Sequence, residues 1–254
     1  MGNDDLGEGT QAAQYTWQDT NGNGRVEDDE MVWEKPLDGK QYYMSALAPG
    51  WWVDKDGALW LCDQVTKSIM RFPVLGYDAH GSPRYKWAKA VTVVPADPSP
   101  WKFVPTNLKT TPTGDFYVQG TVEGNRDMKW FWMGGTAVAR FAPDGTRRWL
   151  HVLPRVTVST AADGTFWYTG EGNTAKVTMY TDDGLMLCEM APGKPSGFVS
   201  GWIDHALGLY AFRHPTLKRH YVYAEEDYYG KSIRYRLEGV ETMKQFSGTV
   251  EVRQ

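Results

Sequence analysis

A unit of about 50 residues recurs along this chain, and it constrains the fold more than any other feature. In its first copy, residues 53–72, the sequence V-D-K-D-G-A-L-W-L-C-D precedes S-I-M-R-F. Altered copies begin at residues 109, 159 and 203. The turn glycines of the four copies are Gly57, Gly114, Gly164 and Gly208, so they lie 57, 50 and 44 residues apart. A period of this length indicates an array of similar supersecondary units.

Each copy contains the alternating, β-branched and aromatic residues that are typical of strands. A turn glycine precedes a strand such as L-W-L at residues 59–61, and the I-x-R-F segment predicts a second strand. A closing strand then carries an aromatic residue at Trp87, Trp149 or Phe246. Counting the strand that enters the first turn, each unit has four antiparallel strands, which we name A to D. Their C–D turns are predicted at His80-Gly81, Asp144-Gly145, Asp183-Gly184 and Glu238-Gly239.

Four-stranded units repeated radially are the blades of a β-propeller. The order D-x-x-G-x-L-W, I-x-R-F, D-G resembles the NHL family of propellers, and its first part is also similar to the repeats of bacterial sensor propellers. Asp54 stands at the first position of this motif, whereas Thr111 and Ala161 replace it in the next two copies. The fourth copy has an extra residue between Asp204 and Gly208. The resemblance covers roughly residues 50–250 and implies a fold, not an activity.

We therefore predict an all-β chain, a β-propeller of four-stranded antiparallel blades with about four full blades and an N-terminal half blade. The predicted bounds are 51–94, 101–153, 156–190 and 202–252 for the blades, 14–34 for a leading hairpin and 1–13 for a disordered tail. The hairpin supplies only strands C and D. We expect an open arc of a six- to eight-bladed ring, whose two unpaired apolar faces are covered by further blades or by another chain.

Residues 19–30, D-T-N-G-N-G-R-V-E-D-D-E, place short oxygen-bearing side chains at alternate positions. This spacing wraps one hard cation, and it resembles the calcium loop of EF-hands and the loops of dockerins and VCBS-type propellers. Segments 15–17 and 31–33 predict strands, so the site would pin a hairpin. The alternative is an Asn/Gly-rich turn with acidic flanks and no metal. The predicted Ca²⁺ ligands are Asp19, Asn21, Asn23, the Arg25 carbonyl, Glu27 and Glu30.

Charge and hydropathy argue against a nucleic-acid partner and against a membrane span. The formal net charge is -4 with both signs interspersed, which argues against a nucleic-acid interface. No apolar run is long enough to span a membrane. The calcium loop favours an extracellular or periplasmic location, because calcium is abundant outside the cytosol. Cys62 and Cys188 fall on different strands of non-adjacent blades, so we expect two free, buried thiols.

The chain contains 12 Trp and 14 Tyr, and blade packing explains most of them. In a propeller blade the B–C loop and the D-to-A connection emerge on one face, and the A–B and C–D turns on the other. The first face collects long loops that bear aromatic residues, including the predicted B–C loop at 213–231, and loops on a rigid scaffold often bind ligands. The alternative is that these tryptophans cap the blade core. The predicted ligand-binding residues are Trp51, Trp52, Trp101, Trp130, Trp132, Trp202 and His205.

Three functions follow from these patterns. The first and preferred one is a non-catalytic module that binds a carbohydrate or a protein, within an exported and calcium-stabilised protein. The second is a lyase or hydrolase that uses His205, His214 and acidic residues of blade four. The third is a quinoprotein-like domain, whose blade pattern this chain does not match. The sequence contains neither a G-x-S-x-G nucleophile motif nor a C-x-x-C-H haem motif.

Overall fold

The computed structural model describes residues 15–33, 51–63, 66–100, 102–122, 135–171, 176–197, 208–226 and 229–244. Within these ranges the chain consists of antiparallel strands and four short 3-10 helical turns, without an α-helix. The predicted all-β fold of antiparallel blades is therefore confirmed. None of the described helical turns is long and apolar enough to cross a membrane.

Two short strands at the start of the described chain form a hairpin around the acidic loop. Strand β1 (Tyr15–Trp17) pairs with β2 (Met31–Trp33), and a 3-10 turn at Asp28–Glu30 leads into β2. The hairpin contacts the first blade, because Gln18 Nε2 donates a 3.1 Å hydrogen bond to Asp78 Oδ2.

Blade one is a four-stranded antiparallel sheet in the order β3-β4-β5-β6. Its fourth strand comes later than the sequence predicts. Trp87 lies in a 3-10 turn, Trp87–Lys89, and strand D follows it. The strands are β3 (Trp51–Val53), β4 (Leu59–Asp63), β5 (Ser68–Phe72) and β6 (Val91–Val94).

Blades two and three share one long strand. Residues 147–152 of β10 pair with β9 and form strand D of blade two, whereas residues 157–162 pair with β11 and form strand A of blade three. The D-to-A crossover is thus a register shift within a continuous strand. The strands are β7 (Val104–Thr110), β8 (Phe116–Thr121), β9 (Gly135–Phe141), β10 (Arg147–Ala162), β11 (Phe166–Glu171), β12 (Val177–Thr181) and β13 (Met186–Met190).

Blade four differs from its prediction. Its described strands are β14 (Leu209–Arg213), β15 (His220–Glu226) and β16 (Lys231–Arg236), in that order. The predicted B–C loop at 213–231 therefore contains strand B. Gly208 precedes strand A and is not the counterpart of the earlier turn glycines. The A–B turn lies instead at residues 214–219, where Lys218 adopts the left-handed conformation with φ 57°.

The blades pack face to face in chain order, because alternate side chains of a strand point to opposite faces of its sheet. Phe116 and Val118 of β8 face blade one, whereas Tyr117 between them faces blade three. Blades three and four meet through a cluster that includes Tyr168 and Val222. This face-to-face stacking of successive antiparallel units is the arrangement of propeller blades.

The arginine of the I-x-R-F motif packs on an aromatic ring of the neighbouring strand B. Such a cation over a ring contributes about 0.5–1 kcal/mol at an exposed site. In blade three, Tyr180 stands at a corresponding position and stacks on Trp167 with centroids 3.9 Å apart. The cation–ring distances are 5.7 Å for Arg71 on Trp60 and 6.0 Å for Arg140 on Tyr117. In blade four Arg234, which directly follows Ile233 and is not the motif arginine, lies 5.9 Å from the Tyr221 ring.

The face of blade one that points away from blade two is partly covered by its own C–D connection. Leu61, Met70 and Phe72 are buried there beneath Trp87 of the C–D connection. The Phe72 and Trp87 rings meet edge to face at 4.8 Å. Tyr85 of the same connection donates a 2.6 Å hydrogen bond to the Gly57 carbonyl. The long connection thus folds back over part of this face, whereas Trp51 and Val53 of β3 remain exposed on it, so whether a further blade or another chain covers this end stays a prediction.

Both cysteines are free, as predicted, but only one is buried. Cys62 on β4 is fully enclosed, and burial raises the pKa of its thiol. Cys188 is exposed, which corrects the expectation of two buried thiols. Its strand, β13, lies at the edge of the seven-stranded sheet, where one side of the strand has no neighbouring strand among the described residues.

Candidate functional site

The four A strands end around a cavity of about 340 Å³. Blades one to three contribute the end of strand A and the start of the A–B turn, and blade four contributes the end of strand A, so the cavity forms only when the blades are assembled. Its lining residues are Trp52, Val53 and Lys55 of blade one, residues 109–112 of blade two, residues 161–163 of blade three and residues 210–213 of blade four. We call this cavity the inner-strand pocket.

A buried lysine connects the walls of the inner-strand pocket. Lys109 is only 5% exposed, and its Nζ donates a 2.8 Å hydrogen bond to the Leu209 carbonyl of β14. The ammonium also lies 5.1 Å from the ring centroid of Trp52. Burial lowers the pKa of Lys109 to about 8, because removal from water disfavours the charged form.

Aromatic side chains form two walls of the pocket. Trp52 is half-buried, and its indole N–H donates a 3.0 Å hydrogen bond to Thr110 Oγ1, which fixes the ring against blade two. In blade four, Phe212, which also lines the pocket, stacks on Tyr221 with centroids 5.5 Å apart. Tyr210 next to it is 54% exposed. Flat apolar walls with a few polar groups are typical of small-molecule pockets.

The carboxylate of Asp163, at the edge of the pocket, is directed into the protein. It accepts hydrogen bonds from the N–H groups of Thr165 and Phe166 at 2.9 and 2.8 Å and from the Tyr168 hydroxyl at 2.9 Å. His220 Nδ1 of blade four lies 2.6 Å from its Oδ2. Asp163 therefore organises the A–B turn of blade three, although Ala161 occupies the motif position of Asp54.

The predicted ligand-binding residues are only partly within the described chain. Trp52 lines the inner-strand pocket, and Trp51 beside it is 38% exposed. Trp52 does not lie on the predicted face. Strand β3 has only three residues, so Trp52 is close to the A–B turn and faces the turn end of the sheets. Trp101, Trp130, Trp132, Trp202 and His205 lie outside the described residues.

Sequence reasoning missed Lys109 and Asp163. A signal was present for Lys109, since a lysine within the strand V-P-T-N-L-K-T is a charged residue on a segment whose neighbours are buried. Lys and Asp are almost never fully buried unless they have partners. His214, proposed for acid–base chemistry, serves a turn instead, because its Nδ1 accepts the N–H groups of Thr216 and Leu217 at 3.2 and 3.1 Å.

The acidic loop is wrapped around the carboxylate of Asp19. Its Oδ1 accepts N–H groups from Gly22 at 2.7 Å and Asn23 at 3.0 Å, and its Oδ2 accepts that of Gly24 at 2.8 Å. Gly24 has φ 70°, a conformation that favours glycine. The loop thus bends tightly around its first carboxylate.

Glu30, at the last position of the loop, closes it from the other side. The side chain is 3% exposed, and Oε1 accepts the N–H groups of Thr20 and Asn21 at 2.7 and 3.2 Å. Oε2 accepts the indole N–H of Trp17 at 3.0 Å. Desolvation raises the pKa of Glu30, but these hydrogen bonds together lower it below its usual value. A carboxylate held in its ionised form is suited to a cation.

Asn21, Asn23 and Glu27 complete the oxygen set of the loop. The side-chain amide groups of both asparagines donate to the Glu27 carboxylate, and their Oδ1 atoms accept the N–H groups of Asn23 and Arg25. Within the described residues, no three His, Cys, Asp or Glu side chains form a metal-binding group on their own. The loop fits Ca²⁺ through its mixture of carboxylate, amide and carbonyl oxygens, which are the ligands of this ion.

No protein-family model matches this chain, and neither does any curated protein. Among solved structures, virginiamycin B lyase from Staphylococcus aureus is similar at 14% identity, covering 77% of this chain and 57% of that one, with a TM-score of 0.37. Apo AztD from Citrobacter koseri is 13% identical over 82% of this chain and 52% of its own, with a TM-score of 0.38. BBS1N, solved in complex with ARL6DN, is 10% identical over 89% and 59%, with a TM-score of 0.44. This chain spans less than two thirds of the length of each.

Proposed function

We propose that this chain is a non-catalytic, ligand-binding β-propeller module whose binding site is the inner-strand pocket. The observation that carries this proposal is that four blades converge on one cavity with aromatic walls and a buried cation. A volume of about 340 Å³ is within the range of small-molecule sites. The ligand would lie against Trp52, one of the tryptophans that the sequence marks for binding.

The polar groups at the pocket favour binding over catalysis. A general base needs an accessible lone pair within hydrogen-bond reach of a substrate. Asp163 is surrounded by four donors of its own chain, and the Nδ1 of His214 is occupied by its turn. Lys109 and Trp52 offer a charge and a flat surface, which orient a ligand without transferring a proton.

We also propose that the acidic loop binds Ca²⁺ and that the ion stabilises the hairpin on blade one. Asp19, Asn21, Asn23, Glu27 and Glu30 would supply side-chain oxygens, and Arg25 would supply its carbonyl. Asp78 accepts hydrogen bonds from the Gln18 side chain and from the N–H groups of Ser82 and His80, which lower its pKa. A loop ordered by the ion would keep Gln18 in place for its hydrogen bond to Asp78. Such a structural site suits an exported protein, because weak calcium sites are filled outside the cytosol.

The pocket can be tested by ligand-observed and protein-observed NMR with a library of small aromatic and sugar-like fragments. We expect the fragments that bind to shift the indole N–H of Trp52, and Trp52→Leu to weaken them at least about tenfold, because the wall of the site is lost. Tyr77→Ala serves as a control, since Tyr77 is an exposed aromatic outside the pocket. The proposal fails if no fragment shifts the Trp52 signal, or if both variants weaken binding equally.

A further inference from the structure

We propose that the inner-strand pocket takes a small organic acid with a flat ring, whose carboxylate accepts a hydrogen bond from Lys109 while its ring lies on Trp52. This inference rests on the proposed function and specifies the chemistry of the ligand. It follows from the charge at the floor of the pocket, the charges at its rim and the shape of its walls.

Within the described part of the chain, the charge of Lys109 has no matching carboxylate. Among the described residues no Asp or Glu forms an ion pair with it, and its contacts are a backbone carbonyl and an indole ring. An ammonium has three donors, and the Leu209 carbonyl takes one of them. A buried cation is costly unless an anion and hydrogen bonds compensate it. A bound carboxylate would supply both.

The residues at the rim of the pocket also carry positive charge. Arg213 lines the pocket and is exposed, with its Nε donating to the Lys218 carbonyl at 3.3 Å. Lys55 also lines the pocket, although it is paired with Asp56 at 2.8 Å. The lining contains one carboxylate, Asp163, and that group is enclosed by its own donors. The opening therefore attracts anions.

The walls of the pocket favour a ligand whose carboxylate is attached to a ring. The Trp52 ring is fixed by its hydrogen bond to Thr110 and lies beside the ammonium, so one ligand can contact both. Aromatic faces stack on planar rings and on the apolar faces of sugars. Two kinds of ligand share this chemistry, namely aromatic carboxylates and sugar acids.

Two matched pairs of probes separate charge from shape. Benzoate and benzamide have nearly the same form and differ in charge, as do glucuronate and glucose. Calorimetry and NMR of the full chain would compare each pair on the wild-type protein, on Lys109→Met, on Lys109→Arg and on the control Lys176→Met. Lys176 is a lysine of blade three outside the pocket and pairs with Glu189 at 3.2 Å.

We expect at least one anion to bind the wild-type protein about tenfold or more tightly than its neutral partner, as a hydrogen bond to a charged group would give. Lys109→Met should abolish this preference, whereas Lys109→Arg and Lys176→Met should retain it. Binding of benzoate would identify the ligand class as aromatic acids, and binding of glucuronate would identify it as sugar acids. The wild-type comparison remains decisive even where a variant fails to fold.

Two other outcomes overturn the inference, and they differ in what they imply. If the neutral probes shift the Trp52 signal and the anions bind no more tightly, or if the preference survives in Lys109→Met, the pocket binds ligands but not through this charge. If none of the four probes shifts the Trp52 signal, and the fragment library also gives no shift, the proposed function and this inference fail together.

Discussion

The indole N–H of Trp60 donates a 2.8 Å hydrogen bond to Oδ2 of Asp54, six residues earlier in the chain. The other carboxylate oxygen accepts the N–H groups of Asp56 and Ala58, both at 2.9 Å. One carboxylate thus closes the A–B turn and holds the ring that packs against blade two. This geometry gives a physical reason for the spacing of the aspartate, the glycine and the tryptophan in the D-x-x-G-x-L-W sequence of blade one.

Replacing Asp54 by Ala should lower the free energy of unfolding by about 1–3 kcal/mol, because three donors lose their acceptor. Desolvation raises the pKa of Asp54, but hydrogen bonds from Trp60, Ala58 and Asp56 and the charge of Arg71 lower it overall. Urea denaturation followed by tryptophan fluorescence would measure the loss. Asp56→Ala is the matched control, since the Asp56 side chain is exposed and, within the described part of the chain, pairs with Lys55 alone. Equal effects of the two substitutions would contradict this role.

Lys109 should make stability depend on pH in the alkaline range. Burial lowers its pKa from 10.5 to about 8 in the folded protein. Between these values Lys109 binds a larger fraction of a proton in the unfolded chain than in the folded one, so this residue should contribute a rise of the free energy of unfolding with pH. Lys109→Met should flatten this rise when urea midpoints are compared at intervals from pH 7.5 to pH 10.5. Lys176→Met should keep it, and a variant at position 109 with the slope of the wild type would show that Lys109 is not the group responsible.

Calcium should raise the melting temperature of the protein, because an ion that binds only the folded state stabilises it. The gain is about 2.7 kcal/mol when free calcium is 100 times the dissociation constant. Asp19→Ala should lose this response, since Asp19 accepts three backbone N–H groups and is the first predicted ligand. Asp28→Ala, an exposed acid of the same loop that is outside the predicted ligand set, should keep it. If the wild-type protein melts at the same temperature with calcium and with a chelator, the loop does not bind calcium and serves only as a turn.

Removing Trp87 should expose the free face of blade one. The ring is 8% exposed and packs on Phe72, with Leu61 and Met70 in the same cluster. Trp87→Ala should destabilise the protein by about 3–5 kcal/mol and increase the binding of a hydrophobic dye. Tyr77→Ala, at a position that is 58% exposed in the same connection, should do neither. A Trp87→Ala protein with unchanged dye binding would mean that another group covers this face.

The sequence by itself determined the strands and most of the turns. Gly57, Gly114 and Gly164 stand in A–B turns with φ between 79° and 90°, and the strands around them follow from alternation and β-branching. These are local properties, since a strand pattern and a left-handed turn depend on neighbouring residues. The same local reasoning fails in blade four. Lys218 there takes the turn conformation that glycine takes elsewhere, and the segment Y-V-Y-A-E-E, whose charges are typical of a loop, forms a strand.

Only the tertiary structure decided where the site lies. Lys109 and the Leu209 carbonyl are separated by 100 residues, and His220 and Asp163 by 57. Trp52, Lys109 and the residues of β14 meet because successive blades bring the ends of their A strands to one cavity. A repeat predicts that similar strands recur, but it does not state which of them are neighbours across the sheet assembly. That relation depends on how the sheets pack, and packing is set by side chains that are far apart in the sequence.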